Sequence, residues 1–267
     1  MNFITFSRKM GTKGTEVAKI VAKELGYRFH DTEDIERKAQ EMGFLDDIRT
    51  VDDKAPPPFK RFFSYRPEIS LDRLHVVIYE LARQGNAVIL GRGGNMLFRS
   101  LPHTLHIRVI ASQEKRVRNL IERGYTREAA VMVMEKSDHE RESFIKFAFR
   151  RDWEDPELYD IVLNMNRLTV KSAVDMVLRA AQAEEFQGRS GDVTGSLDMM
   201  ELAVRVGTAL AEAGLPSTYI SPSVLGQGKV RLTGVVQVPW EKSDAERIVR
   251  EVEGVESVEN DIEIASR

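Results

Sequence analysis

The sequence predicts an α/β fold in which helices cover both faces of a parallel sheet in three layers, followed by a second, smaller α/β domain. Short apolar runs alternate with helical patterns over residues 1–183, which is typical of βαβ units. The run 87–90 is apolar throughout, as expected for a parallel strand that is buried on both faces. A polar stretch at 184–197 then separates this region from a different pattern. We therefore expect domains at 1–183 and 198–267, joined by a linker at 184–197.

The strands and helices of the first domain follow from the spacing of apolar residues. Helix signals include Gly26 as a stop, Thr32 with two acids as a start, and Ser112 as an N-cap. These patterns predict helices at 15–25, 32–43, 71–85, 113–123, 126–150 and 170–178. They predict strands at 3–6, 27–29, 87–90, 105–110 and 161–163.

The segment 43–67 is predicted to be irregular, because it contains three consecutive prolines at 56–58. Basic and aromatic residues then interleave over 59–66, a composition that can stack bases and bind phosphates of a single-stranded nucleic acid. The alternative is a surface insertion whose aromatic side chains pack onto the domain.

The second domain combines amphipathic helices with half-exposed strands. Helical spacing is found at 199–210 and 245–252, and Gly254 ends the second helix. Apolar and polar residues alternate over 230–238 and 258–264, and a further strand is expected from 219.

Composition excludes several classes of protein. The chain has 267 residues, of which 42% are hydrophobic and 30% are charged, as in a globular protein with a sizeable core. A formal charge of −3 gives no nucleic-acid signature for the whole chain, and the lack of cysteine excludes disulfides and thiolate chemistry. No apolar run is long enough for a membrane span, and early charges argue against a secretory signal. We expect a cytoplasmic protein.

A candidate phosphate-binding loop at 7–15 lies between the first predicted strand and helix. Successive backbone N–H groups in such a loop form an anion-binding concavity, to which the helix N-terminus adds positive charge. In the pattern G-x-x-x-x-G-K-[ST], Ser7 and Thr12 stand at the glycines, Lys13 at the lysine and Gly14 at the Ser/Thr position, followed by Thr15. A basic turn at the start of a helix is the alternative.

A second candidate anion site follows the strand at 87–90. Arg92 lies there in the glycine-rich stretch 91–95. Ligands of open parallel sheets bind at the carboxyl ends of strands, and an arginine there can bind phosphate through its forked guanidinium. The alternative is a glycine-rich turn with an exposed arginine.

The first domain resembles the cytidylate kinase-like proteins of the nucleoside monophosphate kinase fold over roughly 1–183. The opening Ile-Thr-Phe-Ser-Arg-x-x-Gly-Thr is similar to relatives whose P-loop begins with Ser-Arg. The resemblance implies that ATP binds at Gly11, Thr12, Lys13, Gly14 and Thr15, with Mg²⁺ at Thr15 and Asp31.

The same resemblance implies roles for residues further along the chain. The stretch 30–37 is similar to the kinase motif Asp-[Ser/Thr]-Gly-x-x-Tyr-Arg, so Thr32 and Arg37 would bind the acceptor nucleotide. Leu90-Gly91-Arg92 resembles the Asp-Gly-Arg that contacts cytosine and phosphate, with leucine in place of the acid. Residues 138–141 resemble the Asp-x-x-Arg of the lid, which implies catalytic roles for Asp138 and Arg141 beside Lys13. A basic residue expected one turn earlier is replaced by Met134.

Two hypotheses follow for the first domain. The first is a Mg-ATP-dependent kinase that transfers a phosphoryl group to a (d)CMP-like or other small acceptor. The second is a catalytically weak or inactive nucleotide-binding regulatory protein, favoured by the missing loop glycines, Leu90 and Met134.

The C-terminal region resembles a BON domain, through residues that include Gly228, Gly234, Asn260 and the Gly254-Val255 pair. This resemblance implies a lipid or small-molecule ligand. The alternative is a packing or homo-oligomerisation module.

Overall fold

The structure, a computed structural model, describes residues 2–51, 67–187, 193–215 and 219–265. The predicted basic and aromatic segment at 59–66 lies outside the described residues, so the nucleic-acid hypothesis for that segment stays a prediction.

Five parallel strands form the centre of the first domain, which confirms the predicted fold class. The strands are β1 (Phe3–Arg8), β2 (Arg28–His30), β3 (Ala87–Leu90), β4 (Thr104–Ile110) and β5 (Ile161–Asn164). Their order in the sheet is β2-β3-β1-β4-β5, so β1 pairs with both β3 and β4.

Helices cover both faces of this sheet. They are α1 (Gly14–Leu25), α2 (Thr32–Glu41), α3 (Leu45–Thr50), α4 (Pro67–Ala82), α5 (Gly94–Leu97), α6 (Gln113–Ile121), α7 (Arg127–Phe149) and α8 (Val170–Ala181). The sequence analysis did not predict α3, which lies in the segment expected to be irregular, or α5, which is a single turn. Helix α7 ends at Phe149 because Arg150 adopts a left-handed conformation with φ 54°.

The two faces of the sheet carry separate hydrophobic cores, as alternate side chains of a strand point to opposite faces. In β1, Phe3 packs with α2, α4 and α5, whereas Ile4 packs with α1 and α8. Residues of β3 divide in the same way, with Ile89 in the first core and Leu90 in the second.

The second domain contains a three-stranded mixed sheet and two helices. Its elements are α9 (Val193–Glu212), β6 (Ile220–Gly226), β7 (Lys229–Val236), α10 (Pro239–Arg250) and β8 (Ser257–Ile264). Strand β7 lies in the centre, antiparallel to β6 and parallel to β8. Apolar side chains on one face of this sheet pack with α9 and α10, as the alternating sequence pattern predicts.

Helix α9 belongs to both domains. Val193 and Leu197 at its start are buried in the core of the first domain, whereas later residues of the helix pack in the second. Arg83, directly after α4, pairs with Asp198 at 2.5 Å and with Glu201 at 2.6 Å. The predicted linker at 184–197 therefore includes the first turn of a helix that joins the two domains.

We expect His75 of α4 to make folding sensitive to acid. Its ring stacks on Phe149, its Nε2 is buried without a hydrogen-bond partner, and burial lowers its pKa to about 4. Between the unfolded pKa of about 6.5 and pH 4 the unfolded chain binds a proton that the folded chain does not. Stability therefore falls as the pH falls through this window, by up to about 3 kcal/mol from this residue.

Urea unfolding of the wild type and a His75→Phe variant between pH 7 and pH 4 measures this contribution. We expect a shallower pH dependence in the variant, because the phenylalanine cannot be protonated. His30 and His106, whose pKa values burial also lowers, remain in both proteins. The same pH slope in both proteins would show that His75 does not contribute.

Candidate active site

Three connections meet at the carboxyl edge of the first sheet. Because β1, β2 and β3 are parallel neighbours, the residues that follow Arg8, His30 and Leu90 leave the sheet at the same edge. The β1–α1 loop, the start of α2 and the stretch 91–95 are thereby brought together, although they lie far apart in the sequence.

A cleft opens at this edge between the first loop, the stretch 91–95 and helix α7. Its lining includes the side chains of Arg8, Arg92 and Arg141, with Phe144 and Trp153 on its apolar side. We call it the arginine cleft. No acidic side chain is among the described residues that line it, so the cleft favours an anionic ligand.

Glycines allow the stretch 91–95 to approach its neighbours closely. Gly91, Arg92 and Gly93 all have positive φ angles, of 82°, 53° and 69°. A Cβ atom at Gly91 would lie 2.6 Å from Nη1 of Arg8, and one at Gly93 would lie 2.2 Å from the ring of Phe149. This backbone holds the buried Arg92, whose side chain is only 5% exposed, at the wall of the cleft.

Ser7 has a specific contact at the position where the P-loop pattern has glycine. The indole Nε1 of Trp153 donates a hydrogen bond of 2.9 Å to Ser7 Oγ. Arg108 of β4 lies behind this pair, where it donates to the Trp153 carbonyl at 2.5 Å and to the Tyr159 hydroxyl at 3.0 Å. The serine therefore anchors one wall of the arginine cleft.

Thr12 stands at the position of the second glycine, and its side chain forms hydrogen bonds within the loop. Its hydroxyl donates to the carbonyl of Lys9 at 2.8 Å and lies 3.3 Å from the amide of Gly14, which donates to it. Lys13 caps α1 in a left-handed conformation with φ 63°. Gly14 is tightly enclosed, since a Cβ atom there would lie 2.9 Å from Cβ of Arg8.

Helices α6 and α7 pack against the same loop. Asn119 donates to the carbonyl of Gly11 at 2.8 Å, and Lys13 Nζ lies 3.3 Å from a carboxylate oxygen of Glu122. Asp138 of α7 accepts a hydrogen bond of 2.9 Å from the amide of Met10. Asp138 thus contacts the loop, while Arg141 three residues later lines the arginine cleft.

The start of α2 contains three of the predicted site residues. The Asp31 side chain caps the helix by accepting from the amides of Glu33 and Asp34, and Thr32 is the first helical residue. Arg37 is 67% exposed, pairs with Asp34, and is not among the residues that line the arginine cleft. The proposed acceptor-binding roles of Thr32 and Arg37 stay predictions.

Leu90 and Met134 are both packing residues. Leu90 is buried in the core between the sheet, α1 and α8, where it offers no polar contact to a base. Met134 packs with Val117, Leu120 and Ala130 in a small core that joins α6 to α7. At both positions the chain has an apolar contact where the resemblance implies a polar one.

The residues available for a magnesium ion are few. Among the described residues, no group of three or more acidic, histidine or cysteine side chains is arranged to hold a metal ion. Mg²⁺ in kinases needs only one or two protein ligands, because substrate phosphates and water complete its coordination. Asp31 lies 3.8 Å from Nζ of Lys19. Lys19 is one turn of α1 after Thr15, so Asp31 contacts a side chain from the face of α1 that also carries Thr15.

Several residues of the site were not assigned by the sequence analysis. Arg8 was part of the quoted Ser-Arg opening but received no role, and Trp153, Arg116 and Asn119 gave no signal. Their positions depend on contacts between residues more than 100 positions apart.

Within the described part of the chain, no helix is long and apolar enough to cross a membrane.

Known families match both domains, and known structures resemble part of the chain. Residues 3–167 match the cytidylate kinase-like family, and residues 200–266 match the BON domain. A crystal structure of an uncharacterized protein from Eubacterium ventriosum ATCC 27560 is 21% identical, with a TM-score of 0.55 over 67% of this chain and 97% of that chain. None of the curated protein sequences matches significantly.

Two enzyme structures show weaker similarity to the chain. Shikimate kinase from Bacteroides thetaiotaomicron is 14% identical, with a TM-score of 0.42 over 68% of this chain and 99% of that chain. Deoxyadenosine kinase from M. mycoides with bound dATP is 15% identical, with a TM-score of 0.37 over 68% of this chain and 100% of that chain. The family match spans more than half of the sequence and includes every element of the parallel sheet, so this chain belongs to the cytidylate kinase-like family.

Proposed function

We propose that the protein transfers the γ-phosphoryl group of Mg-ATP to a small acceptor, either a nucleoside monophosphate such as (d)CMP or another small anionic molecule. One observation carries this proposal: Arg8, Arg92 and Arg141 line a single cleft beside the β1–α1 loop, at the carboxyl edge of a parallel sheet. Such an arrangement suits two polyanionic substrates, which must be brought together against their mutual repulsion.

The β1–α1 loop would bind the phosphates of ATP. Its residues 11–15 lead directly into α1, whose N-terminus carries partial positive charge. Lys13 would reach the outer phosphates after its ion pair with Glu122 breaks. This pair is weak because Glu122 is exposed to solvent.

The arginine cleft would bind the acceptor. Arg92 is held by a constrained backbone, so little conformational entropy is lost when it binds an anion. Thr32 lies at the same edge of the sheet and would contact the acceptor from the α2 side. Arg37 would reach the acceptor only after breaking its ion pair with Asp34.

The residues at the start of α1 and α2 fit a magnesium ion that also binds substrate phosphates. Thr15 would offer its hydroxyl, and Asp31 would bind through the water shell of the ion. When bound, Mg²⁺ neutralises charge on the β and γ phosphates. The protein supplies position and positive charge, and the transfer requires no protein nucleophile.

Arg141 would stabilise the phosphoryl group during transfer. It lies in the cleft on α7, next to the turn of the helix that contacts the β1–α1 loop through Asp138. This position supports a role between the two proposed substrates, where charge would develop in the transition state.

ADP formation across a panel of acceptors tests this proposal. The panel includes CMP, dCMP, other nucleoside monophosphates and small hydroxy acids, because the buried Leu90 gives no preference for a base. We expect acceptor-dependent ADP formation that is lost in Lys13→Ala and retained in Lys23→Ala, an exposed lysine of the same helix. No turnover with any acceptor, or turnover that is equal in both variants, would contradict the proposal.

A further inference from the structure

A carboxylate of the protein contacts the β1–α1 loop, to which we assign the phosphates of ATP. The amide of Met10 belongs to the row of N–H groups between β1 and Lys13. It donates a hydrogen bond of 2.9 Å to Oδ1 of Asp138, which reaches the loop from α7, 128 positions along the chain.

Two arginines, Arg116 and Arg141, surround the carboxylate of Asp138 as they could surround a bound anion. Arg116 of α6 donates from Nη1 to Oδ2 of Asp138, and the same atom donates to the carbonyl of Met10 at 3.2 Å. Arg141 Nη1 lies 3.8 Å from Oδ1 of Asp138. One carboxylate thus interacts with a loop amide, with Arg116 and with a residue of the arginine cleft.

A second carboxylate holds the lysine of the same loop. Glu122, at the end of α6, lies 3.3 Å from Nζ of Lys13. The two acids come from α6 and α7, which are joined by a small core that includes Val117, Leu120 and Met134 and against which Met10 packs. Both helices therefore approach the loop as one packed unit.

The contacts of Asp138 with Met10 and of Glu122 with Lys13 are electrostatically incompatible with phosphate binding at the same groups. A carboxylate and a phosphate oxygen compete for the same N–H group, and two anions within a few ångströms repel each other. Arg116 is only 8% exposed, so its charge is little screened by water and interacts strongly with whichever anion is present.

We propose that Asp138 is an internal competitor of the phosphates of ATP, bound at the Met10 amide and Arg116, and that nucleotide binds only when α7 moves Asp138 away from the loop. This inference rests on the proposed binding of ATP phosphates at the β1–α1 loop. It assigns Arg116 as a further phosphate-binding residue, which is released when Asp138 leaves. The same movement separates Asp138 from Arg141, so the ion pair between α7 residues 138 and 141 is broken when the donor binds.

Binding of inorganic triphosphate to the full-length protein tests the inference without requiring turnover. Isothermal titration calorimetry compares the wild type with Asp138→Ala, with the isosteric Asp138→Asn, and with Glu135→Ala. Glu135 is an exposed acid one turn earlier in α7, so its removal changes the net charge equally without touching the loop.

We expect Asp138→Ala to bind triphosphate about 10- to 100-fold more tightly than the wild type, because the charge-assisted hydrogen bond from Arg116 to Asp138 no longer competes with triphosphate. Asp138→Asn should give a smaller increase, since its amide oxygen still accepts from Met10, and Glu135→Ala should change affinity by less than about threefold. Adding Arg116→Met to Asp138→Ala should remove most of the gain.

Unchanged or weaker binding in both Asp138 variants would overturn the inference, and so would equal tightening in Glu135→Ala. Failure of the proposed function would give a different result. The kinase assay would then show no ADP formation with any acceptor, whereas tighter binding of triphosphate to Asp138→Ala would still support Asp138 as the internal competitor.

Discussion

An Arg141→Ala variant should lose about 10³- to 10⁵-fold in the rate of phosphoryl transfer, the loss typical of removing a cation from the transition state of such a reaction. Arg141 lines the arginine cleft and lies on the helix that contacts the β1–α1 loop. The ground-state complex keeps Arg8 and Arg92, so the affinity for the acceptor should fall much less than the turnover rate.

Steady-state ADP formation with the best acceptor of the panel measures this effect. Arg127→Ala, at the exposed first turn of the same helix, is the matched control and should keep nearly full activity. A loss of less than about tenfold in kcat for Arg141→Ala would contradict the proposed role. A loss confined to KM would instead assign Arg141 to binding alone.

Replacing Arg108 by alanine should destabilise the first domain by about 3–5 kcal/mol, a cost comparable to the largest core truncations. The side chain is 2% exposed and its guanidinium lies 4.4 Å from the ring centroid of Trp153. Its loss opens a cavity and removes a charged donor from the buried carbonyl of Trp153 and the hydroxyl of Tyr159.

Urea unfolding at neutral pH measures the change. Arg123→Ala, an exposed arginine after α6, should alter the unfolding free energy by less than about 0.5 kcal/mol. Because Arg108 supports the residue that binds Ser7, the variant should also show altered fluorescence of Trp153, one of two tryptophans in the chain. A stability equal to that of Arg123→Ala would contradict the structural role.

The fold of this chain could be predicted because its signals are local. The fully apolar run 87–90 and the alternation of strands with amphipathic helices are read within short windows, and both the sheet and the helices on its two faces are confirmed. Helix α3 was missed because three nearby prolines obscured a short helical turn. The start of α9 was missed because its first turn lies in a polar, glycine-containing stretch.

The site could be predicted only in part, because its geometry depends on distant contacts. Parallel pairing of β1 with β3 brings Arg92 to the edge of the sheet that also carries the first loop. No pattern could show that Trp153 would donate to Ser7, 146 positions away, or that Asp138 would bind the amide of Met10. These contacts explain how the loop is held despite lacking two glycines of the usual pattern.

Arg37 matches the kinase motif in position and has a local partner in the structure. The spacing of the motif is retained, yet the side chain is exposed and paired with Asp34 three residues earlier. Its exposure and its local partner mean that Arg37→Ala should affect catalysis less than Arg92→Ala, if the acceptor binds in the arginine cleft as proposed.

A crystal structure with a non-hydrolysable ATP analogue, Mg²⁺ and CMP tests the central claim most directly. The account predicts the triphosphate against the amides of the β1–α1 loop, including that of Met10, the phosphate of the acceptor within hydrogen-bond distance of Arg92, and Asp138 displaced from Met10. Triphosphate bound elsewhere on the protein, or an arginine cleft that stays empty at saturating concentrations of both substrates, would contradict it.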